Sequence, residues 1–373
     1  MEGKMKAWVT YGFGDMRLEV IPIPKINKGW ALVRLESFQP SVSEVQRFNG
    51  LEVEGTEQAR KTLSEKGPIP LFGHEFSGKV VELADNVCKL KIGQRVSLNY
   101  PKTACGKCEA CLGGQDKQCL NVQWLGIDYP GCFAEYVAVP EEILKPVSED
   151  LTVSETVCLQ SLSSVISNID KTQIKMGDTV VVLGLGVMGN GAAQVSRVSG
   201  AGKVIGSDVR KENLILAREL GIDVVVDAKK ENIEDIVKRE TKGVGADIVL
   251  ECAGGNPAQG LAGGETLKQA VNIVRKGGKV CQLAHVKPSN ILPFKFTVLR
   301  TKNITLLGGN PGASRHFYHG AKLISTKRIN VKKSVTHVLE GIDKLAEAFE
   351  ITGNKGKYKA INPAQVVVWK DKD

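Results

Sequence analysis

The chain has 373 residues, with 50 Lys and Arg against 41 Asp and Glu, for a formal net charge of +9. Hydrophobic residues make up 42% and charged residues 24%, a globular mix that excludes a disordered chain, and the length suggests two or three domains. The basic surplus is spread out, and its densest cluster, Lys322 to Lys333, is interrupted by apolar residues, so it suits a small anionic ligand and not a nucleic-acid partner. No apolar run approaches the ~18 residues of a membrane span. The opening Met1–Thr10 has no signal-peptide core, so the reading is a cytoplasmic protein with no membrane partner.

Up to about residue 160 the chain reads as short strands broken by Gly and Pro. Met5–Val9, Trp30–Ser37, Gly78–Leu83 and Glu135–Val139 are the clearest, as in a small β-barrel-like domain. Leu51–Gly67 carries a charged, helix-prone stretch, Glu57–Glu65. Next comes Cys105-x2-Cys108-x2-Cys111-x7-Cys119, with Gly106, Gly113 and Gly114 to let the loop wrap. Four thiolates this close can surround one ion, and a closed four-sulfur site is structural; zinc or iron suits those ligands. The other five cysteines, Cys88, Cys132, Cys158, Cys252 and Cys281, are scattered and read as ordinary packing, which argues against a disulfide framework.

The middle of the chain alternates strand and helix. Thr179–Leu183, Lys203–Ser207, Val224–Asp227, Ile248–Glu251, Lys279–Leu283 and Ile304–Leu307 are β-branched-rich strand candidates. Helical patterns fill the gaps at Val187–Ser199, Glu212–Leu220, Asn232–Lys242 and Thr266–Arg275, which predicts a doubly wound parallel sheet. The first strand runs into Gly184-Leu-Gly186-Val187-Met188-Gly189 and a helix. In that setting the glycines permit a tight turn, a close approach of pyrophosphate to bare backbone, and close helix packing. Asp208 ends the second strand, where a carboxylate accepts from a ribose 2′-hydroxyl and repels a 2′-phosphate, favouring NAD; Arg210, two residues on, weakens that preference slightly. Two amphipathic helices, Gly320–Thr326 and Asp343–Ile351, and a strand, Ala364–Trp369, follow. His285, His316 and His319 are secondary candidates for the cofactor side or for plain packing.

These motifs, in this order, resemble the zinc-type medium-chain alcohol dehydrogenases, in the polyol and threonine dehydrogenase branch. Gly73-His74-Glu75 is similar to the family's Gly-His-Glu, whose His ligates a catalytic zinc, and Gly126 to Val137 is similar to the segment after the cysteine lobe. Glu251-Cys252-Ala253-Gly254 and Gly277-Gly278-Lys279 match further stretches. The resemblance implies a GroES-like β-rich catalytic domain, residues 1–161 and 308–373, with its zinc lobe at about 100–122, split around a Rossmann domain at 162–307. It also implies a cleft between them, a small-molecule substrate, and a homodimer or homotetramer.

The catalytic zinc site departs from the family pattern. Ser41 stands where the family's first ligand, a Cys, is expected; Ser43 takes the proton-relay place, Glu44 the Asp and Gln46 the His. Gln160 falls at the third ligand, with Cys158 two residues earlier as the alternative under a shifted alignment. A Ser hydroxyl and a Gln amide are weak neutral donors, so the expectation is one structural zinc per chain and no catalytic one. The acid–base work then falls to His74, with Glu75 orienting it or acting beside it and Ser43 relaying the proton. The expected activity is NAD(H)-dependent hydride exchange with a secondary alcohol, polyol or ketone. The alternatives are a zinc-independent reductase of an activated C=C bond, an epimerase or lyase using tightly bound NAD, and a non-catalytic NAD-binding protein.

Overall fold

Thr179–Leu183, a Thr-Val-Val-Val-Leu run, is buried almost throughout, as a strand covered on both faces must be. It lies inside a six-stranded parallel sheet in the order Val224–Asp227, Lys203–Asp208, Thr179–Leu183, Ala246–Glu251, Val274–Gln282, Thr305–Gly308. Strand order therefore reverses between Thr179–Leu183 and Ala246–Glu251, the point at which open α/β sheets bind ligands. Helices Val187–Val198, Lys211–Glu219, Ile233–Glu240 and Glu265–Ile273 supply the crossovers, each end within two residues of the expected span.

This computed structural model describes residues 1–255, 262, 264–287, 289, 291, 295, 297–309 and 314–369. The chain separates into two compact units, Met1–Gln160 with Val335–Asp373, and Ser161–Ser334. The expected return to the catalytic unit at residue 308 is thus corrected to 335. The reason is packing: a Cβ on Gly320 in the helix Ser314–Ser325 would meet Leu162 Cδ2 at 3.1 Å and Ile166 Cδ1 at 3.3 Å. Arg315 also pairs with Asp170 at 2.9 Å, and Asn330 N donates to Gln194 at 2.7 Å. All these partners belong to the Rossmann unit.

The other unit centres on a seven-stranded sheet. Trp30–Gln39 pairs antiparallel with Glu75–Leu83, register Gln39 to Glu75, and the C-terminal strand Gln365–Val367 adds to the opposite edge of Trp30–Gln39. Phe38, Phe72, Phe76 and Phe133 are fully buried and anchor its core. The charged stretch after Gly50 folds as the helix Thr56–Lys66, which buries Thr56, Ala59 and Thr62. Gly55 turns the chain into it at φ 84°, and a Cβ there would stand 2.6 Å from Ile127 Cδ1. Gln58 Nε2 and Lys66 Nζ both donate to Asp128, at 2.7 and 2.6 Å, so this helix is fastened to the segment that follows the cysteine lobe.

Candidate active site

The helix Val42–Phe48 begins with a reciprocal cap. Glu44 N donates to Ser41 Oγ at 3.2 Å, and Ser41 N donates to Glu44 Oε2 at 2.8 Å. That box turns the Glu44 carboxylate inward. Its second oxygen accepts from Gly73 N at 2.8 Å and meets His74 Nδ1 at 2.7 Å. Gly73, at φ 91°, has no room for a side chain: a Cβ would lie 2.8 Å from Cys132 Sγ and 2.9 Å from Cys132 N. Bare backbone at position 73 thus sets His74 beside Glu44.

Glu44 is only 1% exposed. Burial pushes its carboxyl up, but the facing imidazole outweighs this and holds it below its ordinary value. For His74, burial lowers the pKa and Glu44 more than restores it, leaving the ring above its ordinary value. Nδ1 therefore carries the proton toward Glu44. No described residue bonds to Nε2, which is left open.

Ser43 Oγ lies 3.0 Å from Ser41 Oγ, so the structure places the expected relay residue one hydroxyl away from the cap. Glu75 is not His74's partner. Its carboxylate accepts from Gln39 Nε2, whose Oε1 in turn accepts from Asn362 at 2.7 Å and Gln365 at 3.3 Å. Successive residues entering a strand point to opposite faces, which separates His74 from its sequence neighbour. Burial, opposed by His74, raises the Glu75 pKa. The orienting carboxylate is Glu44, at a position whose Ser-x-x-Glu pattern announces a capping box in the sequence alone.

The residues at the family's catalytic-metal positions do not fit a zinc ion. Ser41 Oγ is engaged as the helix cap, Gln160 offers a neutral amide, and the buried Cys158 thiol donates to Ser154 O at 3.4 Å. Burial also raises the Cys158 pKa, favouring thiol over thiolate. Among the described residues, the only set of three or more His, Cys, Asp or Glu ligand atoms gathered closely enough for an ion is Cys105, Cys108, Cys111 and Cys119.

The four sulfurs of that set lie within 4.8 Å of one another. The Cys108–Cys111 and Cys105–Cys111 separations are 3.4 and 3.9 Å, close to the ~3.8 Å edge of a tetrahedron with ~2.3 Å zinc–sulfur bonds. Backbone N–H groups of Cys105 and Asn121 both donate to Cys119 Sγ at 3.3 Å. The lobe fits one tetrahedral ion with no open position.

In the Rossmann unit Gly184 turns at φ 89°, and a Cβ on it would stand 2.8 Å from Ala253 N. A Cβ on Gly189 would fall 1.7 Å from Gly184 O, so helix and turn touch through bare backbone. Gly186 differs: a Cβ there meets nothing within 4 Å, leaving open space over the turn. Val187 and Met188 form the first residues of the helix, whose free N–H groups are offered to an anion. Asp208 Oδ2 accepts from Leu185 N at 2.6 Å and Asn213 Nδ2 at 3.0 Å, and Oδ1 accepts from Arg210 N at 2.7 Å. These bonds fix the carboxylate at the strand end. Arg210 is the N-cap residue of the following helix. His285 is exposed and its carbonyl accepts from Gly255 N at 2.7 Å, while His316 is buried against Asp170 at 3.2 Å.

Two family models match this chain. Residues 27–149 match the alcohol dehydrogenase GroES-like domain, and residues 187–326 match the zinc-binding dehydrogenase domain. A sorbitol dehydrogenase of Halalkalibacterium halodurans is 34% identical over 337 residues, covering 89% of this chain and 92% of the relative. The chain belongs to the zinc-type medium-chain alcohol dehydrogenase family. It is an oxidoreductase. An L-threonine 3-dehydrogenase of Rhizobium rhizogenes is 29% identical to this dehydrogenase over 345 residues, covering 91% of the chain and 93% of the relative. Its fold superposes on a zinc-binding dehydrogenase of Sinorhizobium meliloti bound to NADP with a TM-score of 0.83, at 25% identity and covering 99% and 100% of the two chains. No helix among the described residues is long and apolar enough to cross a membrane.

Proposed function

We propose that this dehydrogenase exchanges hydride between NAD(H) and a secondary alcohol or polyol and its ketone, with His74 in place of a metal ion at the substrate oxygen. The single observation that carries the reading is the Glu44–His74 pair at 2.7 Å, in the setting where the family's metal donors are replaced by Ser41 and Gln160. The sorbitol and threonine dehydrogenase relatives support a hydroxyl-bearing substrate.

The nicotinamide supplies the hydride acceptor or donor. The turn Gly184–Gly189 and the helix N-terminus hold the pyrophosphate through backbone N–H groups. Asp208 receives the adenosine ribose hydroxyls and repels a 2′-phosphate, which favours NAD over NADP. The cysteine lobe holds one structural zinc, and its role is to close a loop.

In alcohol oxidation the substrate hydroxyl gives its proton to His74 Nε2. Nδ1–H points at Glu44, which fixes the tautomer and stabilises the imidazolium that forms. In ketone reduction the same Nε2 returns the proton to the carbonyl oxygen. Ser43 carries the proton onward through its hydroxyl. Glu75, turned toward Gln39, contributes a buried acid whose charge depends on pH.

The test is a His74→Ala variant assayed with a panel of polyols by absorbance of the reduced nicotinamide. The expected result is a fall in kcat of about 10²–10⁴-fold with little change in KM, the loss typical of a missing general acid–base group. Unchanged turnover would refute the assignment.

A further inference from the structure

The helices Leu159–Thr172, Val187–Val198 and Ser314–Ser325 of the Rossmann unit wall a cavity of about 410 Å³. Its floor is aliphatic: Ile166, Ile169, Val195 and Leu323 line it, and the first three are buried. Its rim carries the cations Lys322 and Arg328, with the His319 ring beside them. The Lys322 and Arg328 side chains make no hydrogen bond or ion pair with any described residue. The one carboxylate in the lining, Asp170, is already committed to Arg315 at 2.9 Å and His316 at 3.2 Å. Positive charge on this rim is therefore uncompensated within the described residues.

An aliphatic floor under unpaired cations selects a ligand with an apolar tail and an anionic head. We propose that this cavity is a binding site for a medium-chain aliphatic carboxylate, its tail on Ile166, Ile169 and Leu323 and its head toward Lys322 and Arg328. The cavity sits at the lower end of the ~300–1,000 Å³ range of ligand pockets, with room for an alkyl chain of medium length. A second copy of this chain is a poorer occupant. A two-fold contact would bring the same cationic rim against itself. Inorganic phosphate would satisfy the rim and leave the floor wet. The site is separate from the dinucleotide turn and stands whether or not the oxidoreductase reading holds.

The experiment is calorimetric titration of the full zinc-loaded chain with octanoate, with and without saturating NAD, and with octanol as the uncharged control. The expected result is saturable binding of one octanoate per chain, unaffected by NAD and weakened by added salt, with octanol at least about 10-fold weaker. The Lys322→Glu, Arg328→Glu double variant should lose at least about 10-fold in octanoate affinity while keeping its Tm and its NAD binding, since both side chains are exposed. The proposal is overturned by the absence of saturable binding at millimolar octanoate, or by equal affinity for octanol. It is also overturned by displacement of octanoate with NAD, by a double variant that binds as the parent does, or by assembly of the chain into an oligomer that blocks octanoate.

Discussion

Glu44 and His74, thirty residues apart in sequence, meet through Oε1 and Nδ1 at 2.7 Å in a buried setting. The pair raises the imidazole's pKa and lowers the carboxyl's. Under the proposed reading, with Ser41 and Gln160 at the metal positions, this pair supplies the acid–base couple of the catalytic unit.

The pair makes a pH prediction. Alcohol oxidation needs Nε2 unprotonated, so its rate should rise through a His74 pKa above the ordinary ~6.5. Glu44→Gln removes the main charge that raises it and leaves Glu75 alone to oppose burial, so the rising limb should move to lower pH as kcat falls. Ala at the same position should lower kcat further, because it also removes the hydrogen bond to Gly73 N. A pH profile of kcat for parent and variants reads this, and a limb that stays in place would assign Glu44 to the helix cap alone.

Stability should follow the same pair with a definite sign. His74's raised pKa gives stability that is complete below ~6.5 and lost as pH rises through the folded value. Glu44's lowered pKa gives stability that is present above ~4.3 and lost as pH falls. The pair should therefore contribute most between about pH 5 and 6.5. His74→Ala should lower Tm most in that window, and thermal melts across pH 4–9, roughly the span of both titrations, check it.

Glu75 carries the opposite sign. Its pKa is raised chiefly by burial, so ionising it costs stability as pH rises above ~4.3. Glu75→Gln keeps an oxygen to accept from Gln39 and removes the charge. The variant's Tm advantage over the parent should widen from pH 5 to pH 8, and a constant difference would mean that Glu75 is not destabilised by its charge.

Cofactor choice should turn on Asp208. Asp208→Asn keeps an oxygen for Leu185 N while dropping the negative charge that repels a 2′-phosphate. The ratio of kcat/KM for NAD to that for NADP should fall by about 10-fold or more, which is about 1.4 kcal/mol. An unchanged ratio would locate the preference elsewhere.

Much of this architecture was legible in the residues. Continuous Val and Ile runs announced the parallel strands, and Gly184 to Gly189 with Asp208 announced the dinucleotide turn, because each depends on local chemistry. Cys105 to Cys119 was legible for the same reason. The partner of His74 was not. Adjacency pointed to Glu75, but strand alternation turns that side chain toward Gln39, and the true partner comes from a separate helix cap. The return of the chain at residue 335 rather than 308 was hidden too. It depends on Gly320 letting one helix rest on Leu162 and Ile166, a contact that no local pattern encodes.

The most direct test of the account is the zinc content of the purified, active enzyme, measured together with turnover during mild chelation. The account predicts one zinc per chain, lost on Cys111→Ser together with stability, and turnover that does not depend on any second ion. Two zinc ions per chain, with activity disappearing as the more labile one is removed, would contradict it.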